Sequence, residues 1–359
     1  MRRILPLAAL ALAACGSSDP PPATETPTAS ATASATASPS PSPTATATAV
    51  PARRTVATGL SVPWGIAFLP DGDALVAERD SGRIVRIPAG GGAPRGVMTV
   101  PGVAAGGEGG LLGLAVSPRY ADDRFVHAYL TAPGDNRIVR FRLGGRVRNV
   151  LTGLQKAGIH NGGRIHFGPD GRLYAGVGDA GNPASSQDPA SRNGKILRMD
   201  PDGGGVRVWS LGHRNVQGFA WDRAGRMWAS EFGQNTRDEV NLIRRGRNYG
   251  WPAVEGTGDT RGGRFTNPSV TWATSEASPS GAAIIGSNLY VAALQGECVW
   301  RIPIRGTSLG RPRRMLAGRY GRIRTVAAAP DGTLWVATSN RDGRGSPCSE
   351  DDRIIAVRV

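Results

Sequence analysis

Six times between residues 64 and 338, a short apolar run stops at a tight polar turn and resumes. Trp64–Leu69 meets Pro70-Asp71-Gly72 and continues as Ala74–Glu78. Leu112–Val116 meets Ser117-Pro118 and continues as Phe125–Leu130. Arg164–Phe167 meets Pro169-Asp170-Gly171, and Gln217–Trp221 meets Asp222–Gly225. Ala282–Ile285 meets Gly286-Ser287-Asn288, and Val326–Ala329 meets Pro330-Asp331-Gly332. Proline presets the turn and glycine tolerates its end, so each unit reads as a β-hairpin. A further turn and strand often follow, as in Ser81-Gly82 and then Arg83–Ile87. Turns near 70, 118, 169, 222, 287 and 331 give six similar units, each with room for four short strands. That spacing predicts an all-β chain folded as a six-bladed β-propeller. A two-sheet sandwich is the alternative, but six units are too many for it. The last run, Arg353–Val359, is expected to complete or close the final blade, removing an exposed sheet edge.

The first 52 residues do not carry this pattern. Residues 1–14 read as a signal peptide: Met1-Arg2-Arg3 is charged, and Ile4–Leu12 is apolar but too short to span a bilayer as a helix. Residues 15–52 are rich in Ser, Thr, Ala and Pro, a composition that cannot offset its own ordering entropy, and read as a disordered tether. The propeller domain is then 53–359. The sequence Leu12-Ala13-Ala14-Cys15 resembles the lipobox of bacterial lipoproteins, which implies that Cys15 becomes the lipidated first residue. The chain is expected to be exported and held on the outer face of the bacterial cell membrane by that lipid alone.

The net charge of +15 raises the question of nucleic acid. Lys156 and Lys195 are the only lysines among 43 basic residues, and the arginines are scattered through strand-like runs without interleaved aromatics. This is compositional bias, and no nucleic-acid partner is expected. After Cys15 only Cys298 and Cys348 remain, each following the second strand of neighbouring repeats. Export permits a disulfide between them, and one is expected.

Chemistry-bearing residues crowd into residues 160–252. His160-Asn161-Gly162-Gly163-Arg164 is followed by Gly178-Asp179, then Gly212-His213-Arg214-Asn215, Glu231-Phe232-Gly233 and Asn248-Tyr249-Gly250-Trp251-Pro252. A histidine just ahead of a strand could serve as a general base at the mouth of the channel. Arg322-Ile323-Arg324 alternates, so both guanidinium groups emerge on one side of a strand, where they suit a dianionic ligand or a solvated strand edge equally well. Asp238-Glu239, Tyr249, Glu255 and Asp259 supply oxygens of the kind calcium takes. Gly176-x-Gly178-x-x-Gly181 formally matches a dinucleotide fingerprint, but Asn182-Pro183 follows and no helix does, so there is no pyrophosphate site.

Taken in order, these motifs, with Gly107–Gly113 and Gly321–Arg324, resemble the soluble quinoprotein sugar dehydrogenases: the PQQ-dependent glucose, aldose-sugar and sorbosone enzymes. The resemblance covers nearly all of 55–359 and implies a six-bladed propeller. It implies PQQ and Ca2+ as cofactors, an aldose or related sugar oxidised at the anomeric carbon, and an external electron acceptor of unknown identity. By that resemblance His160 and Arg214 are catalytic. Glu108, His160, Arg214, Asn215, Gln295, Arg322 and Arg324 contact the quinone cofactor. The Gly233 and Gln234 carbonyls hold one calcium, and Glu239, the Tyr249 carbonyl and Asp259 hold a second. The chain departs from the family at Gln295, where many members have Lys. Ile159 and Thr325 stand where Asp is common, and the Asn182–Asp188 loop differs from the glucose-binding loop. A propeller that binds an envelope glycan or protein without chemistry, or a calcium-dependent sugar lactonase, is the alternative.

Overall fold

The computed structural model describes residues 52–359, which form six antiparallel sheets. Cys15 and the expected signal peptide lie outside the described residues, as does nearly all of the expected tether. Blade one runs Pro63–Phe68, Ala74–Glu78, Arg83–Ile87 and Arg95–Thr99, from innermost strand to outermost. Blades two to five start on the innermost strands Leu111–Val116, Ile165–Phe167, Val216–Trp221 and Pro279–Ile285, and blade six on Ile323–Ala328. Neighbouring innermost strands pack around a central channel. This is the six-bladed β-propeller that the repeats predict. Only two short helical turns interrupt it, Tyr120–Asp123 and Pro183–Ser186, and no described helix is long and apolar enough to cross a membrane.

The turn chemistry explains the hairpins. In blade one Gly72 donates its amide to the Leu69 carbonyl at 2.9 Å, Leu69 donates to Asp73 at 2.8 Å, and Gly72 sits at φ +89°. Only glycine takes that angle without steric cost. The Asp71 side chain accepts the Asp73 amide at 3.1 Å, closing an Asx turn. Equivalent carboxylate-to-amide bonds recur at Asp170 and Asp331.

The second strand of each blade is packed on both faces, which is why it reads as a continuous apolar run and not as an alternation. Ala74–Glu78, Leu173–Val177 and Leu334–Thr338 are buried throughout. The core therefore lies between blades. Leu75 and Ala77 of blade one meet Leu114, Val126 and Ala128 of blade two. Ala283 and Tyr290 of blade five meet Val326 and Val336 of blade six.

The last run joins the final blade as expected, and closure draws in a strand that the sequence did not point to. Ile354–Val357 is the third strand of blade six, and the outermost place is taken by Arg53–Ala57 from the other end of the domain. The ring is thus sealed by pairing the first strand with the last.

The expected Cys298–Cys348 disulfide is not formed. Cys298 is wholly buried at the start of the third strand of blade five. Cys348 lies in the loop before the last strand, where its sulfur accepts a long contact from Arg353 Nη2 at 3.7 Å. Equivalent positions in two repeats face different surroundings, because one lies in a strand and the other in a loop.

Candidate active site

Every innermost strand runs in the same sense, so the segments just before these strands gather at one channel mouth. The second strand is antiparallel to the first, and its end returns to that same mouth. These two loop sets bring together Glu108, His160, Arg214 and Arg322 from the first kind, and Gln234, Gln295 and Arg344 from the second. They line a cavity of about 220 Å³.

His160 is fixed at every polar atom that the protein can reach. Its amide donates to Glu108 Oε2 at 2.8 Å, and its Nδ1 lies 2.7 Å from Asp179 Oδ1. Asp179 is wholly buried. Its Oδ1 also accepts the Gly181 amide at 2.9 Å, and its Oδ2 accepts Trp251 Nε1 at 2.9 Å. A carboxylate receiving these donors assigns the Nδ1 proton to His160 and leaves Nε2 with its lone pair. The backbone supports this arrangement at some strain: His160 holds φ +53°, uncommon for a residue with a Cβ. Gly178 packs so tightly beneath it that a Cβ there would stand 1.9 Å from the His160 carbonyl oxygen.

Arg214 is buried, which lowers its pKa, and its Nε and Nη2 grip Gln234 Oε1 at 2.9 and 2.6 Å. Its guanidinium lies over the Trp251 ring, 5.6 Å from the centroid. Asn215 accepts the Gly162 amide through Oδ1 at 3.0 Å, while its buried Nδ2 has no partner. Arg322 and Arg324 do lie on one side of their strand, as their spacing predicts, because both reach Asp342 Oδ2, at 3.1 and 3.5 Å. Arg324 also donates to Gln217 Oε1 at 2.9 Å, its Nε has no partner, and burial draws its pKa down to about 10. Gln295 lines the cavity as a neutral amide.

The oxygen donors divide. Gly233 donates its amide to Asp238, and the amides of Gln234 to Arg237 all converge on Glu255 Oε1 at 2.7–3.0 Å. Glu239 is buried beside Glu231, and burial together with their mutual proximity raises Glu239 to about 8; burial raises Glu231 to about 8. His213 Nδ1 lies 3.2 Å from Glu231, and the His213 ring stacks on Tyr249 at 4.9 Å. Asn241 Oδ1, buried in the same cluster, has no partner. Asp259 does not join this group. It is exposed and accepts the Arg261 amide of its own turn, because Gly256–Gly263 loops away from the sheet. Among the described residues no set of three or more His, Cys, Asp and Glu side chains is arranged around a common metal position.

The departures at other positions also have places. Ile159 is 44% exposed beside the histidine. Thr325 donates to the Trp64 carbonyl at 2.6 Å and accepts from Arg164, so it works inside the channel. The 182–188 loop is stapled by Gln187 to Asn248 and Trp251, and by buried Lys195, which donates to the Ser185, Ser186 and Asn193 carbonyls. Sequence reasoning gave no role to Asp179, Trp251, Asp342 or Arg344. Asp179 was visible as Gly178-Asp179 after a strand, but its partner lies across a hairpin. Trp251 lies in the Asn248–Pro252 motif, but its bond to Asp179 joins residues 72 apart; Asp342 and Arg344 reach the site from a loop whose spacing carries no motif.

With the geometry in view, the glucose/sorbosone dehydrogenase family model matches residues 60–347. The chain is 51% identical to the aldose sugar dehydrogenase of Streptomyces coelicolor, solved in its PQQ-bound form. That match covers 85% of this chain and 96% of the other, with a TM-score of 0.82. It is 30% identical to the aldose sugar dehydrogenase YliI of Escherichia coli, over 79% of this chain and 89% of that protein. It is 29% identical to the quinoprotein glucose dehydrogenase B of Acinetobacter calcoaceticus, over 61% of this chain and 56% of that protein.

Proposed function

The chain belongs to the glucose/sorbosone dehydrogenase family, and from that premise we propose that it oxidises an aldose or related sugar at the anomeric carbon, with PQQ and Ca2+ as cofactors. The observation that carries this reading is one cavity lined by His160, Arg214 and Arg322, with Asp179 bonded to His160 behind it and Arg324 sharing Asp342 with Arg322. The residues fit PQQ on their own chemistry. Asn215 Nδ2 and Arg324 Nε are buried donors without partners, and two arginines share a single counter-carboxylate, Asp342. Such a surplus of buried donors and positive charge suits a flat, multiply anionic ligand with ring oxygens.

Bound PQQ would supply the acceptor for the hydride leaving the anomeric carbon. His160 Nε2 takes the proton of the anomeric hydroxyl, and Asp179 holds the ring in the tautomer that can do so. The charge that develops on His160 as it gains the proton is balanced by the same carboxylate. Arg214 and Asn215 would hold the ring oxygens of the cofactor, where a guanidinium can stabilise negative charge. Arg322 and Arg324 would hold its carboxylates. Trp251 serves twice, donating to Asp179 and carrying Arg214 on its face.

The calcium reading rests on the buried Glu231–Glu239 pair and the Asn241 Oδ1 beside it, hard oxygens of the kind calcium takes. Glu239 and the Tyr249 carbonyl would contribute to that site. The Gly233 and Gln234 carbonyls would hold a second ion at the cavity. We further propose a lipoprotein: residues 1–14 removed, Cys15 lipidated, 15–52 a tether, and the propeller displayed on the outer face of the membrane. Cys15→Ala should move the protein from the membrane fraction to the soluble one.

The test is reconstitution with PQQ and calcium, followed by dye-linked oxidation of a panel of aldoses. Turnover that needs both cofactors is the expected result. Absence of both PQQ binding and turnover overturns the reading, and lactone hydrolysis without an electron acceptor would replace it.

A further inference from the structure

The charges around the cavity leave one cation without a structural task. Asp342 Oδ2 pairs with Arg322 and Arg324, and its Oδ1 accepts the Arg344 amide at 3.0 Å. One carboxylate therefore organises three arginines, but it holds the third only by its backbone. The Arg344 guanidinium is 59% exposed and makes no hydrogen bond among the described residues. It stands 3.7 Å from Glu108 Oε1, too far for a hydrogen bond, while Glu108 Oε2 is committed to the His160 amide. Arg344 also lines both lobes of the mouth, the one shared with His160 and Arg214 and the one shared with Arg324 and Asp342. The wall at Gln295 is neutral.

We propose that Arg344 is a cofactor-binding residue that turns from Glu108 to pair with a carboxylate of bound PQQ, so that the 341–345 loop closes the cation set begun by Arg322 and Arg324. This rests on the PQQ reading above. Three features carry it. Backbone anchoring by Asp342 fixes where the side chain starts. Its solvent exposure leaves the guanidinium free to re-aim at little cost. Arginine offers a planar fork matched to a carboxylate. The loose 3.7 Å approach to Glu108 is a weak contact that a better anion displaces.

The experiment is equilibrium titration of the full apo-protein with PQQ in the presence of calcium, followed by quenching of tryptophan fluorescence. Wild type, Arg344→Ala, Arg344→Lys, Arg344→Ala/Glu108→Gln and Arg322→Ala/Arg324→Ala are compared. Arg344→Ala should bind about tenfold more weakly, the size of a charge-assisted hydrogen bond at a half-exposed site. Arg344→Lys should recover most of that loss, since a cation is restored. If Arg344 served only to balance Glu108, the double change with Glu108→Gln would recover wild-type affinity, which would overturn the proposal; persistence of the loss supports it. Unchanged affinity in Arg344→Ala, with weakened binding in the Arg322/Arg324 variant, overturns the proposal and leaves the function standing. Failure of wild type to bind PQQ removes both.

Discussion

His160 becomes a base through what surrounds it. The imidazole alone would be one of four histidines in the chain. Asp179 sets its tautomer, Glu108 holds its amide, and Gly178 lets the loop come close enough for both. Three expected outcomes follow at this scale. His160→Ala should lower turnover by about 10²–10⁴-fold, the usual contribution of a positioned base, while PQQ affinity from fluorescence titration stays near wild type. Asp179→Asn should lower kcat with PQQ affinity little changed, because its amide can donate to Nδ1 and favour the wrong tautomer. Gln295→Lys should tighten PQQ binding, most at low salt, by adding a cation to a neutral wall. Equal or weaker binding there would mean that position 295 does not meet the carboxylates. His160, Arg214, Asn215 and the Arg322/Arg324 pair were legible in the sequence because each sits in a short local motif just before or at the start of an innermost strand. Asp179, Asp342 and Arg344 were less so: the first two meet His160 and the arginine pair only when the two ends of a hairpin are brought together, and Arg344 meets Glu108 from another blade.

Within single elements the sequence was most explicit where backbone chemistry is local. Asp71, Asp170 and Asp331 bond amides two residues on, so their turns can be read from a few residues. Contacts between blades cannot. His127, on the second strand of blade two, reaches the Pro201 carbonyl of blade three at 2.7 Å and meets Phe167 edge-on. Burial lowers its pKa to about 4 from the ordinary 6.5. The native state therefore keeps His127 neutral while the unfolded chain takes up a proton, so its contribution is present above about 6.5 and is lost as pH falls toward about 4. The loss amounts to about 3 kcal/mol over that window. His127→Gln should flatten the fall in Tm between pH 6.5 and 4 relative to wild type, and an unchanged slope would show that His127 is not the group concerned. The misplaced disulfide belongs to this scale too: Cys298 and Cys348 occupy matching places in the repeat pattern, but the blade-six loop after Thr338 is long and carries Cys348 away from its strand.

Across the whole molecule, what holds six blades in one ring is not repeated in any one of them. Arg164 crosses the channel from blade three, donating to the Gln217 carbonyl at 2.8 Å and to Thr325 Oγ1 at 3.1 Å, with its guanidinium 4.3 Å from the Trp64 ring centroid. It ties blades one, three, four and six, and it separates the polar mouth from an apolar cavity at the channel's other end. The repeats announced the blade number because each carries its own turn. They could not announce the seal, because Arg53–Ala57 has no hairpin partner nearby and pairs with Ile354–Val357 about 300 residues on. That pairing has a direct consequence for the site. Arg322 and Arg324 enter blade six on its innermost strand, Asp342 and Arg344 follow its second, and the blade's outer edge is covered only by the Arg53–Ala57 strand. Val56 and Ala57 are buried there, at 3% and 4% exposure. A chain starting at residue 58 should therefore lose roughly 3–5 kcal/mol relative to one starting at residue 52, from buried apolar area and ladder hydrogen bonds. It should also expose the edge of Ile354–Val357 to other chains. Thermal unfolding and size-exclusion chromatography would show a lower Tm and self-association. Hydrogen exchange should report the earliest loss of protection at Ile354–Val357, with PQQ affinity falling alongside because the arginine set loses its frame. If the shortened chain matched the longer one in Tm, association and exchange, the ring would be closed by its blade interfaces alone, and the terminal strand would be a cover without a structural share.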